Sequence, residues 1–159
     1  MCGIVGFSGN FEKKCLYDAI DSLDHRGPDD KGIFFDFEEK IGLGHTRLSI
    51  QDLSYSGHQP MISSSGNCLI FNGEIYNCDK LRKNLESLGY TFNGTSDTEV
   101  VLNLYEEHGL KMLNIIEGIY SIAIWNKYSK DLFLIRDGMG VKPLYFIENS
   151  NGFIFSSEI

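Results

Sequence analysis

Cys2 is the residue whose position most directly favours chemistry. Its small side chain permits removal of the initiator Met1, which would leave an α-amine and a thiol on one residue. The pKa of an α-amine is about 7.7 to 8.0 and that of a free thiol is about 8.5. The amine can therefore accept the thiol proton at neutral pH, directly or through water. At the start of the mature chain, Cys2 would therefore be a nucleophile that carries its own base.

A structural role is the alternative for Cys2. A single cysteine near an N-terminus is usually a small apolar residue at the edge of a strand. The pentapeptide Cys-Gly-Ile-Val-Gly favours the catalytic interpretation, because Gly3 and Gly6 leave backbone room around the thiol. The choice between the two roles depends on residues that could assist a thiol nucleophile.

Asn72 and Gly73 are candidates for that assistance. A thiolate that attacks an amide needs hydrogen-bond donors where the carbonyl oxygen becomes anionic. Asn72 offers a side-chain NH2 beside the closely approachable N–H of Gly73. The same Asn-Gly dipeptide follows an apolar run and is typical of a hairpin turn, which spacing alone favours. The two roles do not exclude each other.

Arg47 and Asp97 could recognise the charged ends of an α-amino acid. Arg47 ends a strand-like run, where its guanidinium could bind a carboxylate bidentately, although a surface ion pair is the commoner role of an arginine. Asp97 lies in the first turn of a predicted helix and could bind an α-ammonium. An acidic residue there also complements the helix dipole, which is a sufficient structural explanation.

Two other motifs are interpreted as turns. The segment His25-Arg-Gly-Pro-Asp29 leaves the first predicted helix, with Pro fixing φ and Gly permitting a reversal. The segment Gly138-Met-Gly140 precedes Lys142-Pro143 but lacks the spacing of a phosphate-binding loop. Neither predicts a nucleotide site.

The elements that must position these residues are mostly strands. Eight short runs rich in Ile, Phe and Tyr predict strands at 4–7, 32–35, 41–48, 68–71, 119–125, 132–136, 144–147 and 153–156. Asn151-Gly152 predicts a hairpin between the last two. Helical spacing predicts helices at 15–23, 79–88 and 97–108, the second capped by Asp79 and stopped by Gly89, and the third opened by a Ser96–Glu99 capping box. Helices grouped early in a strand-rich chain predict an α+β fold of antiparallel sheets covered by helices.

Composition restricts the class of protein. The chain of 159 residues, 42% of them hydrophobic, predicts one domain spanning residues 1–159. A net charge of -8 excludes the basic surface of a nucleic-acid binder. There is no apolar run that could span a membrane and no signal peptide, so we predict a soluble, cytoplasmic protein. The four cysteines have no zinc spacing, which predicts free thiols and no metal.

Several motifs taken together resemble the N-terminal domain of glutamine-dependent asparagine synthetases, from residue 2 to the end of the chain. They are Cys2-Gly-Ile-Val-Gly6, His25-Arg-Gly-Pro-Asp29, Gly44-His-Thr-Arg-Leu-Ser-Ile50, Gly57-His-Gln-Pro-Met61, Asn72-Gly-Glu-Ile-Tyr-Asn77, Ser96-Asp-Thr-Glu99 and Arg136-Asp-Gly-Met-Gly-Val-Lys-Pro-Leu-Tyr145. Within the class II amidotransferases, three of these motifs (RGPD, NGEIYN and KPLY) resemble asparagine synthetase more than the sugar-phosphate or purine-pathway relatives.

The resemblance implies a fold and a set of roles. The fold would be the Ntn-hydrolase four-layer αββα sandwich. Cys2 would be nucleophile and base, and Asn72 with the Gly73 N–H would form the oxyanion hole. The glutamine substrate would be bound by Arg47, by the backbone of Leu48, Ser49, Ile50 and Gln51, and by Glu74 and Asp97. His45 and Tyr76 would pack or shape loops.

The resemblance also implies partners. A C-terminal synthetase domain, absent from this chain, would use ATP and Mg²⁺ to amidate aspartate, whereas the glutaminase domain needs no cofactor. The full-length protein could be a homodimer. The chain ends directly after a strand-like run, which predicts a piece of a longer polypeptide. An amidotransferase with another acceptor, such as a cell-surface sugar or an antibiotic precursor, and a non-catalytic glutamine-binding domain remain alternatives.

Overall fold

The computed structural model describes residues 1–159 and contains three helices and nine strands. The helices are α1 (Lys13–Ser22), α2 (Cys78–Ser87) and α3 (Asp97–His108). The strands are β1 (Gly3–Gly9), β2 (Asp30–Asp36), β3 (Ile41–Arg47), β4 (Met61–Ile62), β5 (Cys68–Ile75), β6 (Gly118–Asn126), β7 (Asp131–Arg136), β8 (Tyr145–Asn149) and β9 (Gly152–Ser156). Short 3₁₀ turns occupy Asp24–Arg26, Tyr55–Gly57 and Gly109–Asn114.

The strands form two antiparallel sheets that face each other. The first sheet has the order β2-β3-β1-β9-β8 and the second the order β4-β5-β6-β7. Helix α1 packs on the outer face of the first sheet, and α2 with α3 packs on the outer face of the second. The predicted α+β, four-layer αββα sandwich is therefore confirmed.

Strand alternation decides which side chains enter the layer between the sheets. Successive residues of a strand point to opposite faces, so one parity of each strand faces the opposite sheet and the other faces the helices. The layer between the sheets is filled by Ile4, Ile41, Leu43, Cys68, Ile70, Ala123, Trp125 and Phe155. The same parity places His45, Arg47 and Asn72 further along the same faces, where apolar side chains give way to polar ones.

All eight predicted strands are present, and the ninth, β4, was not predicted. It has only two residues and pairs with Cys68 and Leu69, so it carries too few side chains to show a period. The β8–β9 hairpin is confirmed, but its two-residue turn is Ser150–Asn151, one residue earlier than predicted, and Gly152 is the first residue of β9.

The turn predicted at Asn72–Gly73 is wrong. Both residues lie inside β5, paired with Ser121 and Tyr120 of β6. A Cβ on Gly73 would lie 2.4 Å from the Ile119 carbonyl oxygen, so this glycine serves the close approach of two strands and not a chain reversal. Tertiary pairing overrides the local signal of the Asn-Gly dipeptide.

The helix ends are close to those predicted, with two differences. Helix α2 begins after Asn77, so Asp79 lies in its first turn and is not its cap. The Ser96 hydroxyl of α3 does accept the Glu99 N–H at 3.4 Å, but the Glu99 carboxylate binds the N–H groups of Asn93 and Gly94. Only half of the predicted capping box is therefore formed.

Candidate active site

A cavity of about 190 Å³ opens at the polar end of the layer between the sheets. Its walls come from the N-terminus, the end of β3 with the loop that follows, β5, the start of α3 and Lys142. Of the predicted site residues, all line this cavity except Ser49. The Ser49 N–H donates to the Asp29 carboxylate at 2.7 Å, a bond that supports the loop from outside the cavity.

The Cys2 thiol is held in place by its neighbours. Its sulfur accepts the Leu48 N–H at 3.4 Å, so this N–H, predicted to face the substrate, contacts the thiol instead. The Cys2 carbonyl oxygen accepts from Nε of Arg26 at 3.0 Å. Arg26 is itself buried and ion-paired with Glu158 at 2.6 Å. The orientation of Cys2 is therefore fixed from both the backbone and the side chain.

The Arg26-Gly-Pro-Asp29 turn has a second function beyond reversing the chain. It packs against the end of β3 so closely that a Cβ on Gly27 would lie 2.5 Å from the Arg47 nitrogen. The Asp29 N–H donates to the Arg47 carbonyl at 3.0 Å. The motif was predicted as a turn, which is correct. Its support of Cys2 and Arg47 was not predicted.

Strand β5 presents three N–H groups to one side. Those of Phe71 and Ile75 donate to Gln59 Oε1 at 2.6 Å and to Asp97 Oδ2 at 3.2 Å. Consecutive N–H groups of an antiparallel strand point to opposite edges, so the N–H of Gly73, two residues from each of these, points to this same edge. No side chain of the protein accepts it, and Gly73 lines the cavity.

The Asn72 amide provides a second donor beside the same cavity. The residue is 2% exposed, and its Nδ2 atom is buried without a hydrogen-bond partner. A buried donor left unpaired costs about 1 to 3 kcal/mol. The pair of an unpaired amide and the Gly73 N–H is the arrangement that a developing oxyanion requires.

Arg47 is buried but has no carboxylate partner in the protein. Its guanidinium donates to the backbone carbonyl of Asp52 and, at 2.9 Å, to that of Ser54. Gly57 lies against it, and a Cβ there would be 2.1 Å from Nη2. A guanidinium has five N–H donors, and the three that these bonds do not use have no hydrogen-bond partner in the protein. Arg47 is therefore an immobilised cation that forms no direct salt bridge, although the Asp52 carboxylate is near enough to interact with its charge.

Asp97 lines the same cavity from another element, as the first residue of α3. It is 6% exposed, and burial raises the pKa of its carboxyl to about 6. The N–H groups of Ile75, Thr98 and Asp97 act in the opposite direction, whereas the nearby Glu74 raises the pKa further. A cation bound beside Asp97 would restore its ionised form.

Comparison with known proteins agrees with this geometry. A family model described as a glutamine amidotransferase domain matches residues 1–159. The chain belongs to the glutamine amidotransferase domain family. An asparagine synthetase (glutamine-hydrolysing) of Bacillus subtilis is 38% identical over the whole chain, which covers 21% of that protein. A putative asparagine synthetase of Methanocaldococcus jannaschii is 40% identical over the whole chain, which covers 34% of it. These matches confirm the resemblance found in the sequence.

Solved structures of low sequence identity share the fold of this amidotransferase domain. The glutamine phosphoribosylpyrophosphate amidotransferase of Bacillus subtilis superposes with a TM-score of 0.84 at 24% identity, covering 98% of this chain and 42% of that one. This likeness supports the Ntn-hydrolase assignment of the fold. The amidotransferase domain spans about a fifth to a third of the length of the curated relatives just described.

Gln59 is a residue of the amidotransferase site that sequence reasoning missed. It is 4% exposed, and its side chain joins the Phe71 N–H of β5 to the Thr98 hydroxyl of α3, the latter at 3.1 Å. Its only sequence signal is its place within the Gly57–Met61 motif. Glu74, which was predicted, lies on the exposed rim of the cavity.

A histidine between the sheets connects the two strands that carry Arg47 and Asn72. His45 Nε2 lies 3.2 Å from the Phe71 carbonyl oxygen, and because a carbonyl only accepts, Nε2 must carry the proton. Burial lowers the pKa of His45 to about 3, so the ring is neutral. It links β3, which ends at Arg47, to β5, which carries Asn72.

No helix of the domain is both long and apolar enough to cross a membrane. No cluster of three or more His, Cys, Asp or Glu residues is arranged to bind a metal.

Proposed function

We propose that this domain hydrolyses the side-chain amide of glutamine to glutamate and ammonia, with Cys2 as an N-terminal nucleophile. The observation that carries the proposal is the pair of unengaged donors, Asn72 Nδ2 and the Gly73 N–H, in the cavity that the Cys2 thiol lines. A tetrahedral intermediate formed at Cys2 places negative charge on oxygen, which such donors stabilise.

Charge complementarity supports glutamine as the substrate. The free donors of Arg47 suit an α-carboxylate, because a guanidinium and a carboxylate pair bidentately. Asp97, assisted by Glu74 at the rim, suits an α-ammonium. From the loop after Arg47, the residues Leu48, Ile50 and Gln51 also line the cavity. The two ends of an α-amino acid would therefore be bound by opposite charges from two different elements.

The order of the reaction steps follows from the α-amine and the thiol that Cys2 carries. The α-amine takes the thiol proton, and the thiolate attacks the amide carbon to form the oxyanion. When the C–N bond breaks, the protonated amine donates its proton to the leaving nitrogen, which departs as ammonia. The neutral amine then accepts a proton from water, whose oxygen attacks the γ-glutamyl thioester. Glutamate leaves and the thiol is restored.

The pH dependence of substrate capture should report Asp97. Its carboxyl is neutral below a pKa of about 6 and anionic above it, and only the anion attracts an α-ammonium. We expect kcat/KM for glutamine to decrease as pH falls through about 6, because kcat/KM reflects ionisation of the free enzyme. Steady-state ammonia release from pH 5 to 9 would measure this.

Asp97→Asn is the matched control for the pH profile. It keeps the shape of the side chain but cannot ionise, so kcat/KM should be low at every pH and the decrease near pH 6 should disappear. The raised pKa of Asp97 also affects stability. Between about pH 4 and 6 the folded state binds more protons at this carboxyl than the unfolded state does. The contribution of Asp97 to the free energy of unfolding therefore declines as pH rises through that range. A decrease near pH 6 that persists in Asp97→Asn would contradict the assignment.

Chemical labelling tests the nucleophile. An electrophilic glutamine analogue, such as a diazoketone, should form one adduct that mass spectrometry locates on Cys2. Cys15, which is exposed, provides the matched comparison: Cys15→Ala should label like the wild type and Cys2→Ala should not label. An adduct on Cys15, Cys68 or Cys78 would contradict the proposal. Glutamine binding without ammonia release would indicate a non-catalytic binding domain.

The names of the relatives suggest the role of the longer protein. We infer that the ammonia serves a synthetase domain of the same polypeptide, which amidates aspartate with ATP and Mg²⁺, in a cytoplasmic enzyme. The glutaminase step itself uses no cofactor. A different acceptor is the second candidate, because a relative 36% identical over 91% of the chain is named an amidase, chry2 of Gibberella zeae. Assaying the longer protein with ATP and aspartate distinguishes the two.

A further inference from the structure

Asp52 is a buried carboxylate that lines the cavity together with Arg47 and Asp97. It is 6% exposed. One oxygen accepts from the N–H of Ser54 at 2.8 Å and from its hydroxyl at 2.6 Å, and the other accepts the Thr95 N–H at 2.8 Å. These hydrogen bonds lower the pKa of Asp52 to about 2, and the bond from the Ser54 hydroxyl contributes most. The residue is therefore ionised throughout the physiological range.

The bonds of Asp52 reach towards both Arg47 and Asp97. On one side, its own backbone carbonyl accepts from the Arg47 guanidinium, and the carbonyl of Ser54, which its side chain orients, accepts from Arg47 as well. On the other side, its carboxylate holds Thr95, two residues before Asp97. One residue thus connects the cation expected to bind the α-carboxylate with the anion expected to bind the α-ammonium.

The surrounding chain is shaped to admit this carboxylate. A Cβ on Gly94 would lie 2.5 Å from Asp52 Oδ2, so a side chain at 94 would displace it. Arg82 holds the segment before α3 from the far side, donating to the carbonyls of Gly94 and Ser96 at 3.0 and 3.1 Å. The loop that follows β3, residues 48–60, makes two further hydrogen bonds to this part of the chain. Ser56 donates to the Asn93 carbonyl, and Gln59 donates to the Thr98 hydroxyl of α3. Of the hydrogen bonds that connect the loop to the start of α3, only that of Asp52 involves a charged group.

We propose that Asp52 is a positioning residue that sets the separation between Arg47 and Asp97, and through it the selectivity for amides that carry both an α-carboxylate and an α-ammonium. The inference rests on the proposed function, since it assigns those two groups to the ends of glutamine. A ligand held at two fixed charges is sensitive to their spacing, because a charge-assisted hydrogen bond weakens as its distance and angle depart from the favoured geometry. In this role Asp52 acts through Arg47 and Asp97 and does not itself bind the substrate.

Asp52→Asn is the test. The substitution keeps the backbone carbonyl that receives Arg47 but replaces one acceptor oxygen with an NH2, which faces an N–H donor of Ser54 or Thr95. Binding is measured by calorimetry in a Cys2→Ala background, which prevents turnover, with L-glutamine and with glutaramate, which lacks the α-amine. We expect Kd for glutamine to rise about 10-fold or more, because bonds to a charged group are lost. The preference for glutamine over glutaramate should fall with it.

Turnover in the Cys2 protein supplies the second readout. For Asp52→Asn, KM for glutamine should rise while kcat changes by less than about 3-fold, as expected when binding that is equal in the ground and transition states is lost. Ser54→Ala, which removes one of the bonds to Asp52, should shift Kd and KM in the same direction by less. The exposed Asp18 on α1 provides the control, and Asp18→Asn should match the parent protein.

The binding and kinetic results decide separately on the role of Asp52 and on the proposed function. If Asp52→Asn and Ser54→Ala both keep the parent Kd values and the same selectivity, the positioning role is overturned. It is also overturned if a folded Asp52→Asn protein loses kcat at unchanged KM. If Cys2→Ala binds glutamine but the Cys2 protein does not hydrolyse it, the proposed function fails while the binding data still decide the role of Asp52. If Cys2→Ala does not bind glutamine, both fail together.

Discussion

Replacing Asn72 with alanine is expected to lower kcat for glutamine hydrolysis by about 10²- to 10³-fold, the usual cost of removing one oxyanion donor. The Asn72 Nδ2 atom is buried without a partner, so the substitution breaks no hydrogen bond of the free protein. Its effect on the free energy of unfolding should therefore be small, within about 1 kcal/mol. Ammonia-release kinetics and thermal unfolding measure the two quantities separately.

Two further variants sharpen the Asn72 experiment. Asn72→Asp keeps the shape of the side chain but places a negative charge beside the oxyanion, so kcat should fall at least as far as in Asn72→Ala. Asn114→Ala, at an exposed position remote from the cavity, should keep wild-type kcat. An Asn72→Ala protein that retains kcat within about 3-fold would remove Asn72 from the oxyanion hole, since a catalytic donor contributes far more.

The second large effect concerns the peptide bond between Met1 and Cys2. While Met1 is attached, the Cys2 nitrogen is an amide that cannot act as a base. Met1 also lines the cavity. A protein that begins at Cys2 should therefore hydrolyse glutamine about 10²- to 10⁴-fold faster than one that keeps Met1, which is the usual contribution of a general base.

Two preparations with defined N-termini measure this effect. One is released from a cleavable tag so that Cys2 is the first residue, and the other retains a single residue before Cys2. Intact mass confirms each start, and ammonia release gives the rates. Cys2→Ala in both forms sets the background. Equal rates for the two Cys2 forms would show that the α-amine is not the catalytic base.

The strands and helices of this fold were predicted well because their physical signal is local, whereas the four-layer arrangement was implied by the family resemblance. Short apolar or alternating runs mark each strand of more than two residues, and apolar residues at helical spacing mark the three helices. The prediction failed where a long-range contact overrides a local preference. Asn72-Gly73 has the composition of a turn, but pairing of β5 with β6 keeps it extended. Asp79 has the chemistry of a cap, but α2 begins one residue earlier.

The site was predicted in part for the same reason. Cys2 follows from its position at the chain start, and Arg47, Asn72 and Asp97 follow from residue types that suit an amide with charged ends. The residues that hold them in place act across long sequence separations. Arg26 reaches Cys2 across 24 residues and Glu158 across 132, and Asp52 reaches Thr95 across 43. No periodicity in the sequence encodes such contacts, so they become apparent only in the folded chain.

The facing sheets have a consequence for how this domain could lose activity. The proposed nucleophile, Cys2, precedes a strand of one sheet, whereas the proposed oxyanion donors belong to a strand of the other. The proposed catalytic centre therefore requires that the two sheets keep their registry across the core of Trp125 and Phe155. A slip of one sheet over the other would separate the thiol from its donors and leave every strand intact. Turnover in this protein should consequently be lost at an earlier stage of loosening than its secondary structure.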